Sequence, residues 1–391
     1  MKWETINLGE IAEFKNGLNF NRDQYGQGVK YISVADFQDY FSAKTEELAE
    51  LKEDFINPSY YLNNGDILFV RSNGNKELVG RNLYIQNVIE PLTFSGFCIR
   101  ARFIRHDIFP KFFAYLFKSK FFRQTLSANA GGTNINNLNQ GILSSLVVPF
   151  PPLTIQIRIA SILSAYDDLI ENNLKRIKLL EEKALLSYRL IVKSETLEEY
   201  IIDELTDVVM GQSPTSDTYN EEKEGLPFHQ GVSNFSNYFV EHKIYCKTPI
   251  KIADEGDILF SVRAPVGRMN FTNDRICIGR GICAFRSKKG FQNYFYHQLK
   301  EFFFTEDVIG NGAIYNAVTK VELMNVKLKA PSDEIQFEFE KEAQMIYHLI
   351  LNLTKQNTKL REARDILLPK LSSGETEVYI QEKIAEPSFP D

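Results

Sequence analysis

The sequence is written twice, and that duplication limits what the chain can fold into. NNGDILFVRSNGNKELVGR (Asn63 to Arg81) matches DEGDILFSVRAPVGR (Asp254 to Arg268). In the same order, TFSGFCIRARF (Thr93 to Phe103) echoes ICIGRGICAFRSK (Ile276 to Lys288), and FFAYLFKSKFF (Phe112 to Phe122) echoes YFYHQLKEFFF (Tyr294 to Phe304). NAGGTNINNLN (Asn129 to Asn139) echoes GNGAIYNAVTK (Gly310 to Lys320), and PPLTIQ (Pro151 to Gln156) echoes APSDEIQ (Ala330 to Gln336). The offset drifts only between 191 and 180 residues, the mark of a duplicated unit of about 180 residues. Two copies are too few for a solenoid, so a pseudo-twofold object is expected.

Each copy reads in two parts. The first is a mixed globule of short β-rich runs, such as Asp66 to Arg71 and Asp257 to Arg263, bounded by Gly, Asn and Pro. The second is helical. Ile155 to about Val192 and Ile335 to Leu368 run without Gly or Pro, each after a proline boundary. Both runs carry a seven-residue apolar period: Leu163, Ile170, Ile177 and Ala184 in the first, and Ile346, Leu353, Leu360 and Leu367 in the second, 183 residues later. Asn173 and Gln356 place a polar residue at one matching seam position, as coiled coils do to fix register. A matched heptad phase favours paired helices over two separate surface helices. The fold class is therefore α+β: two mixed α/β globules joined by two long helices that pair as an antiparallel coiled coil. A rod of about 40 residues would be about 60 Å long. The expected boundaries are 1–150 and 196–330 for the globules, 151–195 and 331–378 for the helices, and 379–391 for an acidic tail.

Composition adds limits. A chain of 391 residues with 43% hydrophobic content suits two or three soluble domains. No apolar run approaches the ~20 residues that span a bilayer, and the start, MKWETINLGEIAEF, lacks the pattern of a signal peptide. A cytoplasmic protein is expected. The net charge of −6 is uneven: +1 over 1–150, +1 over 151–195, −3 over 196–330 and −5 over 331–391. No part is a basic glove that would grip phosphates unaided. Cys98, Cys246, Cys277 and Cys283 form no C-x-x-C pair. They read as reduced thiols in strands and cores, rather than as a zinc site with His242.

Catalytic signatures are absent. There is no GxxxxGK[ST] loop for ATP. Asn57-Pro58-Ser59-Tyr60, Phe150-Pro151-Pro152-Leu153 and Phe94-Ser95-Gly96-Phe97 each lack residues that a methyltransferase motif needs. The five His lie apart with no nucleophile signature nearby. No catalytic residue and no metal ligand is expected.

The ordered duplication resembles the specificity subunit (S subunit, HsdS) of type I restriction-modification systems. The marks are GDILF followed by V-G-R at Gly65 to Arg81 and Gly256 to Arg268, and the Gly turns at Gly132 to Asn136 and Gly312 to Asn316. To these add the P-P-L-x-x-Q-x-x-I boundary at Pro151 to Ile159 and the helix end LREARDILLPKLSSGE at Leu360 to Glu375. The resemblance covers about residues 5–380. One departure is Pro331 to Gln336, where the boundary lacks one Pro and the Leu. The resemblance implies two target-recognition domains, each reading half of a bipartite DNA target, with helices that set the unread gap and dock two methyltransferase subunits. Those subunits would bring S-adenosylmethionine, restriction subunits would bring ATP and Mg, and this chain would hold no cofactor. The alternatives are the recognition subunit of a related system with a fused methyltransferase-nuclease partner, or a paired-helix scaffold with no DNA role.

Base reading needs polar or basic side chains on loops that reach groove edges. The candidates are Arg71, Ser72 and Asn73 after one strand, Arg263 after its counterpart, and Arg81 and Arg268 closing the two loops. Thr133, Asn134 and Asn136, with Asn311, Tyr315 and Asn316, offer polar tips in the Gly turns. Lys118, Lys120 and Arg123 are candidates for phosphate contact.

Overall fold

The computed structural model describes residues 3–37, 41–45, 48–72, 78–129, 137–236, 238–305 and 317–372. The chain forms two units, 1–172 with 357–391, and 173–356. Both boundaries fall inside long helices, Leu153–Ser194 and Asp333–Ser372, so each unit holds one end of each helix.

In the first unit the period-two alternation of ILFV decides the layers. Strand Ile67–Val70 is flanked by Cys98–Phe103 and Asn82–Tyr84, and Ala12–Asn16 completes a four-stranded antiparallel sheet. Ile67 and Phe69 face a core shared with Phe112, Phe113 and Phe117 of helix Pro110–Lys118. Leu68 and Val70 face the other way, against Ile32, Leu92 and Phe94 of a second, three-stranded sheet. Both faces are covered, so the strand reads as a continuous apolar run.

The second unit repeats this plan. Thr206–Met210, Ile282–Ser287, Ile258–Ser261 and Met269–Phe271 form the sheet in the corresponding order. Ile258 and Phe260 pack with Tyr294, Phe295 and Leu299 of helix Gln292–Thr305. Leu259 and Ala284 pack with Ile276 and Ile278 of the adjoining sheet.

The repeated Gly-Asp of GDILF is a structural device. Gly65 and Gly256 sit at φ of 95° and 86°, which only glycine adopts easily. The next carboxylates, Asp66 and Asp257, are buried. Arg102 donates to both Asp66 oxygens at 2.8 and 2.7 Å, and Arg286 to both Asp257 oxygens at 2.8 Å. A planar fork matched to a carboxylate satisfies the buried charge in each unit.

The proline boundaries also match despite the lost Pro and Leu. Gln156 Nε2 donates to the Pro151 carbonyl at 2.9 Å, and Gln336 Nε2 to the Pro331 carbonyl at 2.9 Å. These glutamines lie 180 residues apart, and burial along both helices follows that offset: Ile159, Leu163, Ile170 and Asn173 are buried, as are Phe339, Ala343, Ile350 and Leu353. The seam expected at an offset of 183 is thus corrected. Ile177, Ala184 and Ile346 are buried, but Leu360 and Leu367 are half-buried, while Leu368 and Leu371 are buried. Asn173 and Gln356 do not hold equivalent positions: Asn173 is buried and Gln356 exposed, although Asn173 Nδ2 donates to Gln356 Oε1 at 3.4 Å.

Within each unit the helix segments run antiparallel. In the second unit Asn173 meets Gln356 and Lys183 meets Glu342 at 2.8 Å, so partner numbers fall as residue numbers rise. In the first, Leu163 shares a core with Leu368 and Leu371, and Asp167 accepts from Arg364 at 2.6 Å. Among the described residues no helix is long and apolar enough to cross a membrane.

Candidate nucleic-acid interface

In both units the described candidates Arg71 and Arg81, and Arg263 and Arg268, follow or face the strands at one end of the main sheet. In the first unit that end is set by Asn16 opposite Ile99 and Val70 opposite Cys98. In the second it is set by Met210 opposite Cys283 and Ser261 opposite Ile282. Gly17 and Gly211 begin matched loops here. A Cβ at either would lie 2.2 Å from the carbonyl oxygen of Ser95 or Gly279, so only glycine fits.

Arg71 is bound into this end. Its backbone N–H donates to the Phe97 carbonyl at 2.8 Å, its carbonyl accepts from Leu138 N–H at 2.8 Å, and its Nη1 donates to the Gly96 carbonyl at 3.3 Å. The second unit makes the same two backbone bonds through Val262, to Gly281 at 3.0 Å and from Val318 at 2.9 Å. The counterpart of Arg71 is therefore Val262, and Arg263 falls one position later, beside Ser72. One extra residue of drift moved the arginine. Arg263 is exposed and pairs as a bridge with Ala317.

Arg81 and Arg268 do correspond. The preceding Gly80 and Gly267 sit at φ of 79° and 90°, and the Arg carbonyls accept from Val70 and Ser261 N–H at 2.9 Å each. Arg268 is exposed and Arg81 half-buried. Two of the candidates for phosphate contact hold backbone carbonyls: Lys118 Nζ donates to the Asn82 carbonyl at 3.3 Å, and Arg123 Nη1 to the Val79 carbonyl at 2.6 Å. Lys120 is exposed. Asn73, Thr133, Asn134, Asn136, Asn311, Tyr315 and Asn316 lie outside the described residues. Leu138 and Val318 N–H donate to the Arg71 and Val262 carbonyls at the loop end of the sheet.

Two exposed side chains at this end, Phe97 and Arg280, lie inside the repeated segments but are not among the candidates for DNA contact. Ser213 and Gln230 join them in the second unit, where Ser213 Oγ donates to Gln230 Oε1 at 2.8 Å.

Titratable groups near the loops are shifted by burial. His229 is pushed down to about 4 by burial and then by His242, so it is neutral at neutral pH. His242 Nδ1 lies 2.9 Å from His229 Nε2, and its Nε2 lies 3.1 Å from Asp274. In the first unit Lys15 and Arg100 face each other across the sheet. Burial lowers both, and neighbouring arginines lower them further. The four cysteines are buried free thiols, and among the described residues no three His, Cys, Asp or Glu side chains could hold a metal ion.

Known proteins resemble this chain in sequence and in fold. The profile of the type I restriction modification DNA specificity domain matches residues 1–182 and again 194–364. A protein described as the specificity subunit of the type I restriction enzyme MjaX, from Methanocaldococcus jannaschii, is 31% identical, over 96% of this chain and 94% of its own length. The MjaIX specificity subunit of the same organism is 26% identical over 75% of each chain. The crystal structure of the type I restriction-modification S subunit from M. genitalium superposes with a TM-score of 0.59 at 18% identity, covering 95% of this chain and 96% of that one. At that identity the likeness speaks for the fold.

Proposed function

This chain belongs to the type I restriction modification DNA specificity family, and on that premise we propose that each of its two units reads one half of a bipartite DNA target. The observation that carries the reading is the repeated loop end: equivalent turns in both units carry Arg81 and Arg268, while the buried frame beneath is spent on structure. Preorganised donors at groove edges give base discrimination at low entropic cost.

The chain itself performs no chemistry in this account. Two methyltransferase subunits bind S-adenosylmethionine and modify adenine, and restriction subunits supply ATP-dependent cleavage. The long helices set the number of base pairs left unread and seat the methyltransferase subunits. Their outer faces fit that role. In the second unit Leu179, Leu186, Leu190 and Met345 are exposed at 59–67%, beside a groove lined by Ile191, Phe339 and Met345. In the first unit Leu169 and Ile366 are exposed too. Apolar surface of this kind marks interaction sites. Such a complex acts in the cytoplasm, where DNA is accessible.

With net charges of only +1 over 1–150 and −3 over 196–330, the globules leave phosphate contacts to the methyltransferase partner. DNA retention by the chain with and without that subunit tests this. Specific retention only in the complex is the expected result. Sequence-independent retention by both preparations would contradict the reading.

A further inference from the structure

One four-residue turn at the loop end is built alike in both units yet presents different chemistry. In the first unit it is Ser95 to Cys98, closed by Cys98 N–H donating to the Ser95 carbonyl at 2.9 Å. In the second it is Gly279 to Ile282, closed by Ile282 N–H donating to Gly279 at 3.1 Å. Each turn is pinned from several sides. Ser95 N–H donates to Ile32, Gly96 N–H to Leu18 and Arg71 N–H to Phe97, at 2.9, 2.6 and 2.8 Å. Gly279 N–H donates to His229, Gly281 N–H to Gln230 and Val262 N–H to Gly281, at 2.8, 3.2 and 3.0 Å. Arg280 N–H adds a bond to Ser213 Oγ at 3.2 Å.

The packing leaves room for one outward side chain per turn. Every residue from Leu92 to Ala101 is buried except Phe97, which is 62% exposed. From Ile276 to Phe285 only Arg280 is exposed. A Cβ at Gly281 would meet the Gln230 carbonyl oxygen at 2.6 Å, and one at Gly279 would meet the Gln230 Cα at 2.9 Å. Neither neighbour of Arg280 can carry a side chain.

We infer that this turn is a specificity-determining element in both units, reading a base through Phe97 in the first and through Arg280 in the second. The inference rests on the DNA-reading function proposed above. A guanidinium on a fixed backbone forks onto O6 and N7 of guanine, and a phenyl ring on a fixed backbone packs on the 5-methyl of thymine. The two half-sites therefore differ in kind at one position each: a guanine preference in the half read by the second unit, and a thymine preference in the half read by the first. A backbone already held by four or more bonds loses little freedom on binding, which favours discrimination.

The test uses the full chain in complex with the methyltransferase subunit, selecting from random duplexes, for wild type, Phe97→Ala and Arg280→Ala. Arg280→Ala should lose about tenfold or more in guanine preference at one position of one half-site and leave the other half unchanged. Phe97→Ala should lose thymine preference at one position of the opposite half, and replacing that thymine by uracil should weaken wild type but not the variant. Phe97→Leu and Arg280→Lys should retain part of each preference, with unchanged melting temperatures confirming the fold. A wild-type selection without a two-part motif would overturn the proposed function itself. A two-part motif reproduced unchanged by both variants would overturn this inference alone, as would a uniform loss of affinity for all sequences.

Discussion

The two units share a frame and differ in what fills it. Both hold the Gly-Asp turn with its arginine fork, the Gly17 and Gly211 contacts, and the glutamine that caps the proline boundary. Where they differ, the same backbone positions change chemistry. Lys15 pairs with Arg100 across the first sheet, and Val209 pairs with Ala284 at the matching places in the second. In the first unit Tyr115 donates to Asp167 at 2.6 Å, and Asp167 also accepts from Arg364 at 2.6 Å. In the second the matching residues are His297 and Tyr347, 2.9 Å apart among aromatic rings. The lesson is that repeated polar motifs in this chain mark structure, while differences at equal positions mark local packing; Phe97 and Arg280 stand at the third and second positions of their turns.

Breaking the shared frame should have the largest effect and act on both units. Arg102→Ala leaves the buried carboxylate of Asp66 without its forked counterion, at a cost of about 3 kcal/mol. Arg286→Ala should cost about 2 kcal/mol, because that guanidinium is 51% exposed and its loss is better compensated by water. Denaturant unfolding of the two variants measures this. A loss in one unit and none in the other would break the equivalence.

The helix latches should separate the units more gently. Tyr115→Phe removes a bond to a charged acceptor, worth about 2 kcal/mol, and Tyr347→Phe a neutral one, worth about 1 kcal/mol. Thermal melts of the full chain should rank them in that order, and the reverse order would show that the aromatic latch is the stronger.

The smallest effect is a pH dependence confined to the second unit. Burial, and then Lys300, push His297 down to about 3 from 6.5. The folded chain thus binds this proton less readily than the unfolded chain. The contribution is fully present above about 6.5 and is lost as pH falls towards 3. His229 acts in the same direction. Glu181, raised to about 7 by burial, acts oppositely between 4.5 and 7. The clean comparison is therefore His297→Gln against wild type. The variant should be less stable at pH 7, with the gap narrowing by pH 5. A gap that stays constant would show that His297 does not remain neutral in the fold.

The duplication, the sheet-bearing globules and the two long helices were legible because each imposes a period. Residues that obey no period were not. GDILF stood out as a repeated motif, but only the Asp66–Arg102 and Asp257–Arg286 forks show that it is frame. A shift of three residues moves a helix pattern between adjacent seam positions of one stripe, so an offset of 183 looked as good as 180 until Gln156 and Gln336 fixed it. Arg71 and Arg263 matched by eye, whereas a one-residue insertion gives the place of Arg71 to Val262. Phe97 and Arg280 lie inside repeated segments, but the repeat does not say which of its residues faces outward.

The central claim is that two units with one frame read DNA independently. It is tested most directly by exchanging residues 1–150 for the corresponding part of another family member and mapping methylated adenines made by the chimaera with its methyltransferase subunits. The account predicts a new sequence in one half-site, with the other half-site and the gap unchanged. A change in both half-sites would contradict it.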